Sequence, residues 1–208
     1  MACPFRANAI DRYSAYLRYR KRLSALKGTL LFSGLFLLFL VLGLSFSFPR
    51  SLHAAPLQAG EFQVKAAFLL NFANYVQWPA ASLDDDVFII GILGQDPFGS
   101  AADSLKGKTA KGRRVVIKRY DDPVAAREAA ILYISGSEKR TLSQILKMLK
   151  GRPVLTVGDH PGFAQAGVAI NMLVVRKRVN FRINLHAAHQ AGMEISSQLL
   201  KLAQEVVE

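Results

Sequence analysis

Hydrophobic and polar positions divide the chain into two unlike parts. Residues 29–48, TLLFSGLFLLFLVLGLSFSF, carry no charge. About 20 apolar residues are enough for a helix to cross a bilayer core. Beyond Pro49 the apolar residues fall into short periodic segments. Phe62, Ala66, Leu69, Phe72, Ala73 and Val76 recur at helical spacing and predict a helix over 61–78. Phe68, Tyr75 and Trp78 widen its apolar face, leaving a narrow polar strip of Asn71, Asn74 and Gln77. So broad a face belongs to a helix buried on most sides or shared with a partner. Pro79 should stop it, and Pro56 to Gly60 reads as a linker before it.

Strands and helices then alternate. Val87 to Leu93 is a continuous apolar run, the pattern of a strand covered on both faces. A short helix is expected over 96–105, a strand over 114–120, a short helix opened by Asp122-Pro123, and a strand over 130–134. Thr141 and Gln144 have capping-box spacing, and Leu142, Ile145, Leu146 and Leu149 line one helical face. Gly151 and Pro153 end that helix. Further strands are expected at 154–157 and 167–174. Arg176-Lys177-Arg178 turns the chain into 179–185, where Val179, Phe181, Ile183 and Leu185 alternate with Arg178, Asn180, Arg182 and Asn184. So short a turn makes this strand antiparallel to its neighbour. Helices are expected at about 186–191 and 196–206. Repeated strand–helix units predict an α/β fold: three layers, a mostly parallel sheet with helices on both faces, and an antiparallel strand pair near the C-terminus.

Charge gives the apolar run a direction. Arg6, Arg12, Arg18, Arg20, Lys21, Arg22 and Lys27 precede it against one acid, Asp11. Positive flanks stay in the cytoplasm, so the chain beyond Pro49 is exported. Two readings of the run stay open: a secretory signal cut in the small-residue stretch 51–55, or an uncleaved anchor in the inner membrane. The expected organisation is a basic cytoplasmic segment 1–27, a signal or transmembrane segment 28–48, a linker 49–60 and an exported domain 61–208.

The net charge of +12 overstates how basic that domain is. Residues 1–50 hold eight of the 27 basic residues and one of the 15 acidic ones, which leaves 19 against 14 beyond them. Such a surface supports solubility and gives no reason to expect nucleic acid. The single cysteine, Cys3, precedes the apolar run, so the exported domain can form no internal disulfide.

Catalytic and metal-binding patterns are weak. Ser135-Gly136-Ser137 lacks the glycine spacing of a hydrolase elbow. Gly94 to Gly99 has no lysine to reach a phosphate and reads as a strand-to-helix turn. His186 and His189 could share a helix face but have only Glu194 near them. Asp159-His160-Pro161 reads as a helix-start turn capped by Asp159. Asp84-Asp85-Asp86 lacks the ligand spacing of a calcium loop. The basic stretch from Lys106 to Arg119 reads as a solvated loop, with anionic lipid or an acidic partner as the alternative. No cofactor and no metal are expected, and no enzymatic activity.

Two surfaces are better candidates. The helix over 61–78, through Asn71, Phe72, Tyr75 and Trp78, could form a partner interface, since aromatic residues concentrate at interface anchors. Arg178, Asn180 and Arg182 could recognise an anionic ligand, because guanidinium groups suit carboxylate or phosphate. A second possibility is a ligand crevice at the strand ends near Gly94, Ser135 and Gly158.

Three segments together carry a family resemblance: 64–72 (VKAAFLLNF) with Val76-Gln77-Trp78-Pro79; 91–99 (GILGQDPFG); and 180–185 (NFRINL) continuing to 195–203 (ISSQLLKLA). Ser137-Glu138 and Pro153 to Val157 also fit. In this order the chain resembles the YfiR/HmsC-like family of bacterial periplasmic proteins from about 62 to 206. The resemblance implies an α/β, non-enzymatic, typically dimeric regulator. It would repress a membrane diguanylate cyclase by binding its periplasmic region, and so act on cyclic di-GMP and biofilm formation. Some members use cysteine pairs for redox control, which this exported domain cannot do. Many have short cleavable signals, whereas this N-terminus is long. The rival reading, from the residues alone, is a periplasmic small-ligand-binding protein for sensing or uptake.

Overall fold

Helix α1 runs from Ala55 to Tyr75 in the computed structural model, which describes residues 55–80, 82–83 and 86–207. Its stripe behaves as the spacing predicts: Ala66, Leu69, Phe72, Ala73 and Val76 are at most 2 % exposed, while Asn71, Asn74 and Gln77 face water. Both ends differ from expectation. Residues 56–60, read from sequence as linker, are the helix's first turns. At the other end the helix stops before Pro79, because Val76–Gln77 (β1) pairs antiparallel with Glu194–Ile195 (β9). The Ser196 amide then donates to the Tyr75 carbonyl at 2.9 Å. A distant segment captures the backbone that another helical turn would have used. The apolar run 29–48 and its two readings lie outside the described residues, as do Asp84 and Asp85. No helix among the described residues is long and apolar enough to cross a membrane.

The remaining elements build one sheet. They are β2 (Val87–Leu93), α2 (Ser100–Asp103), β3 (Thr109–Ala110), β4 (Arg113–Tyr120), β5 (Ile131–Ile134), α3 (Leu142–Leu149), β6 (Leu155–Gly158), β7 (Ile170–Val175), β8 (Arg178–Asn184), α4 (Leu185–Gln190), α5 (Ser197–Leu202) and β10 (Glu205–Val207). Short 3₁₀ turns at Ala125–Glu128 and Gly136–Arg140 lie between them. The strand order is β10-β8-β7-β6-β5-β2-β4-β3. Pairing is parallel throughout except for the hairpins β7–β8 and β3–β4. This is the three-layer α/β fold expected, with the antiparallel pair near the C-terminus.

Each face of the sheet has its own core. Phe88, Ile90 and Ile92 of β2 join Leu69, Phe72, Tyr133, Leu155, Ile170, Phe181 and Leu199 beneath α1. Ile89 and Leu93 join Leu132, Ile134, Leu142, Ile145, Leu149 and Phe163 on the α3 side. Burial on both faces is why β2 reads as an unbroken apolar run.

Several local expectations change in the folded chain. Only 100–103 is helical within 96–105. Instead, the Asp96 carboxylate accepts from the Phe98 and Gly99 amides at 2.7 and 3.3 Å. The capping box at Thr141 does not form: its hydroxyl donates to the Glu138 carbonyl and carboxylate rather than accepting from the helix. No helix starts at Asp159; residues 161–167 are turns. The last helix ends at Leu202, where Ala203 becomes extended. Its expected final turn is edge strand β10, parallel to β8.

Candidate binding surfaces

The carboxyl ends of β2, β5 and β6 are where an open α/β sheet normally offers a ligand crevice. Here that space is filled by the chain itself. Ser137 Oγ accepts from the Gln95 amide at 3.1 Å and donates to Glu138 Oε1 at 3.0 Å. A Cβ added at Gly94 would lie 2.5 Å from Ser137 Oγ and 2.6 Å from Glu138 Oε1, so glycine there admits both side chains. At the end of β6, the Phe163 ring covers Gly158 so closely that a Cβ would meet it at 2.5 Å.

An open cleft lies beside this plugged crevice. Its volume is about 530 Å³, and its walls include Glu61 and Lys65 from α1, Asp159 after β6, Val174 and Val175 from β7, and Arg182 from β8. Lys65 organises it. The lysine interrupts the apolar stripe of α1 and is only 3 % exposed. Its ammonium pairs with Glu61 one turn earlier and with Asp159 at 2.7 Å, and lies 4.6 Å from the Phe62 ring centroid. A buried charge needs such partners, since desolvation without them costs several kcal/mol. Below it, Tyr133 is fully buried against Phe98, with ring centroids 4.7 Å apart. The Tyr133 hydroxyl has no hydrogen-bond partner among the described residues. Burial first, then the Asp159 charge, pushes its pKa far above the ordinary phenol range, so the hydroxyl keeps its proton.

The residues singled out from sequence divide between these surfaces. Arg178, Asn180 and Arg182 share one face of β8. Arg178 is exposed, and its carbonyl accepts from the Asn180 amide nitrogen Nδ2 at 3.1 Å. Arg182 Nε lies 2.8 Å from Glu205 Oε2 of β10, an ion pair without the alignment of a hydrogen bond. Asn184 leaves this polar face: it is 9 % exposed, donates to the Ala164 carbonyl and caps α4 by accepting from the Ala187 amide. On α1, Asn71 is exposed and Tyr75 half-buried; Trp78, just after β1, is half-buried too. Phe72 is fully buried against Phe68 and Phe181, so it can support a surface but not form it. Trp78 Nε1 donates to the Ala130 carbonyl at 3.2 Å, and its ring meets Phe88 edge-on. His186 contacts Gln190 at 2.8 Å.

Sequence reasoning missed the Lys65–Asp159 pair and the Ser137–Glu138 plug. One signal for Lys65 was available: a lysine inside an apolar stripe, one turn after a glutamate, calls for a buried partner. Nothing local names Asp159, which lies 94 residues away.

Layer order, sheet topology and filled switch point define a three-layer α/β domain with the Lys65 cleft open between α1, β7 and β8. A model of the YfiR/HmsC-like family matches residues 62–204, and the chain belongs to that family. Among solved structures, it is similar to a conserved domain protein from Vibrio cholerae O1 biovar El Tor str. N16961. That likeness is at 12 % identity and TM-score 0.47, over 70 % of this chain and 60 % of that one. It is also similar to an ABC domain in complex with L-Trp from Streptococcus pneumonia, at 11 % identity and TM-score 0.45, over 61 % of this chain and 57 % of that one.

Proposed function

We propose that this protein is a periplasmic, non-enzymatic regulator that restrains an inner-membrane signalling enzyme by binding its periplasmic region. The enzyme in this reading is a diguanylate cyclase, and the output is cyclic di-GMP and biofilm control. Membership of the YfiR/HmsC-like family across 62–204 carries the reading. The filled crevice at Gly94 and Gly158 supports it, because binding energy is then available mainly at outer faces. Repression is a coupling free energy: the regulator binds one conformation of the cyclase more tightly than the other. Asn71, Tyr75 and Trp78 form the partner surface, with Phe72 holding it from behind. Arg178, Asn180 and Arg182 form a site where an anionic ligand tunes the interaction. The regulator works as a homodimer, and its N-terminal segment keeps it at the inner membrane.

The rival reading, a small-ligand-binding protein, draws on the open cleft lined by Lys65, Asp159 and Arg182. Affinity capture from crosslinked membranes with the full chain as bait separates the two. Recovery of a protein with a cyclase output domain supports repression. Recovery of transport proteins alone, from a folded bait, supports ligand binding and removes the repressor reading.

A further inference from the structure

We propose that the tip of the β7–β8 hairpin is a contact for an anionic lipid bilayer. The tip reads Val174-Val175-Arg176-Lys177-Arg178. The two valines are 48 % and 36 % exposed, and the three cations after them are all exposed. Among the described residues, no ion pair engages those three cationic heads.

The turn itself is chemically odd. Val175 pairs with Arg178, so Arg176 and Lys177 form a two-residue loop, with φ of 50° and 64°. Two successive left-handed residues are the signature of a type I′ turn, where asparagine and glycine are favoured. Long cationic side chains there give up backbone stability. The β3–β4 hairpin, at Lys111-Gly112, does use glycine. An unfavourable choice that puts two cations at an apex, between two exposed valines and a third cation, fits a surface that is both apolar and anionic. Bilayer headgroups over acyl chains are such a surface.

Position agrees. Strand β7 runs parallel to β6, so the tip lies at the carboxyl end of the sheet. The first turns of α1 are at that end too: Glu61 and Phe62 line the same cleft as Val174 and Val175. From Ala55 the chain leads back to the apolar run through only residues 49–54. Six residues span about 20 Å at most. A chain anchored by that run therefore keeps this end of the domain close to the bilayer. The basic hairpin at Lys108, Lys111 and Arg114 lies at the opposite end, where β4 starts beside the beginning of β2. The lipid contact thus rests on the apolar run being an uncleaved anchor.

The test uses the full chain with Cys3→Ser and a single Val174→Cys carrying an environment-sensitive fluorophore. It is reconstituted into vesicles of phosphatidylethanolamine and phosphatidylglycerol, or of phosphatidylcholine alone. Expected is a blue shift, with quenching by spin-labelled lipid about threefold stronger in the anionic vesicles and weakened by salt. A label at Lys111 should stay in water. Adding Arg176→Asn, Lys177→Gly and Arg178→Thr should abolish the Val174 signal without lowering the melting temperature. A Val174 label that stays in water, or is quenched equally in both vesicles, overturns the lipid contact. So does protection that needs native membrane proteins, which would make the tip a protein contact. A chain that fails to float with vesicles overturns the anchor and the lipid contact with it. A chain that floats with a water-exposed label overturns the lipid contact alone.

Discussion

Lys65 shows how one residue links packing to function. Its ammonium bridges the Glu61 and Asp159 carboxylates. Lys65→Met would leave two acids facing each other at the edge of an apolar layer. Breaking a buried pair from one side costs about 3 kcal/mol or more, and urea unfolding should record that loss. Adding Asp159→Asn should recover part of it, because the stranded charge is then removed. Tyr133 makes the opposite case. Its hydroxyl is buried without a hydrogen-bond partner among the described residues, so Tyr133→Phe should leave stability unchanged or raise it by about 1 kcal/mol. A clear loss in the same assay would mean that the hydroxyl is satisfied in solution.

At the scale of elements, α1 and the β7–β8 hairpin carry the surfaces, and both are set by what pairs with them. Helix α1 ends at Tyr75 because β9 takes the next two residues, and that break turns Trp78 toward Ala130. The hairpin apex is held by cross-strand pairs from Ile170–Ile183 to Val175–Arg178 despite its unfavourable residues. Arg176→Asn with Lys177→Gly should therefore raise the melting temperature by a few degrees, since about 1 kcal/mol moves a domain of this size by about 2–4 °C or somewhat more. Calorimetry checks this. A fall would show that the two side chains contribute contacts that outweigh the backbone gain.

For the whole molecule, the two ends of the sheet differ. The carboxyl end gathers the plugged crevice, the Lys65 cleft, the start of α1 and the cationic tip. The other end holds the basic β3–β4 hairpin and the β1–β9 pair. If α1 binds the cyclase, Asn71→Arg should cut its recovery on full-chain bait about tenfold, because a bulky charge in an interface core is costly. Gln144→Arg, on α3 across the sheet from α1, adds the same charge and should leave recovery unchanged. Equal loss from both would point to net charge rather than a defined interface, and quantitative mass spectrometry reads the difference.

Periodicity made much of this legible. The stripe of α1, the unbroken apolar run of β2, the alternation of β8 and the short turn before it are local patterns, and each element formed, though α1 begins and ends earlier than its stripe suggested and β8 is shifted by one residue. The order of segments likewise carried the family. Local pattern failed where the backbone had a long-range competitor. Val76–Gln77 left the helix for β9, and residues 205 and 206 left a helix for β8. It failed too where a polar side chain found a distant partner, as Asp159 found Lys65 and Asn184 found Ala164. Sequence by itself thus determined the long elements, the layers and the family, because hydrophobic spacing and turn chemistry are short-range, but not the short strands β1, β3, β9 and β10. Only the tertiary structure decided that the strand-end crevice is filled, that Lys65 is a buried hub, and that the cationic tip shares an end with α1. Those facts depend on which side chains meet across the sheet, and no local pattern encodes that.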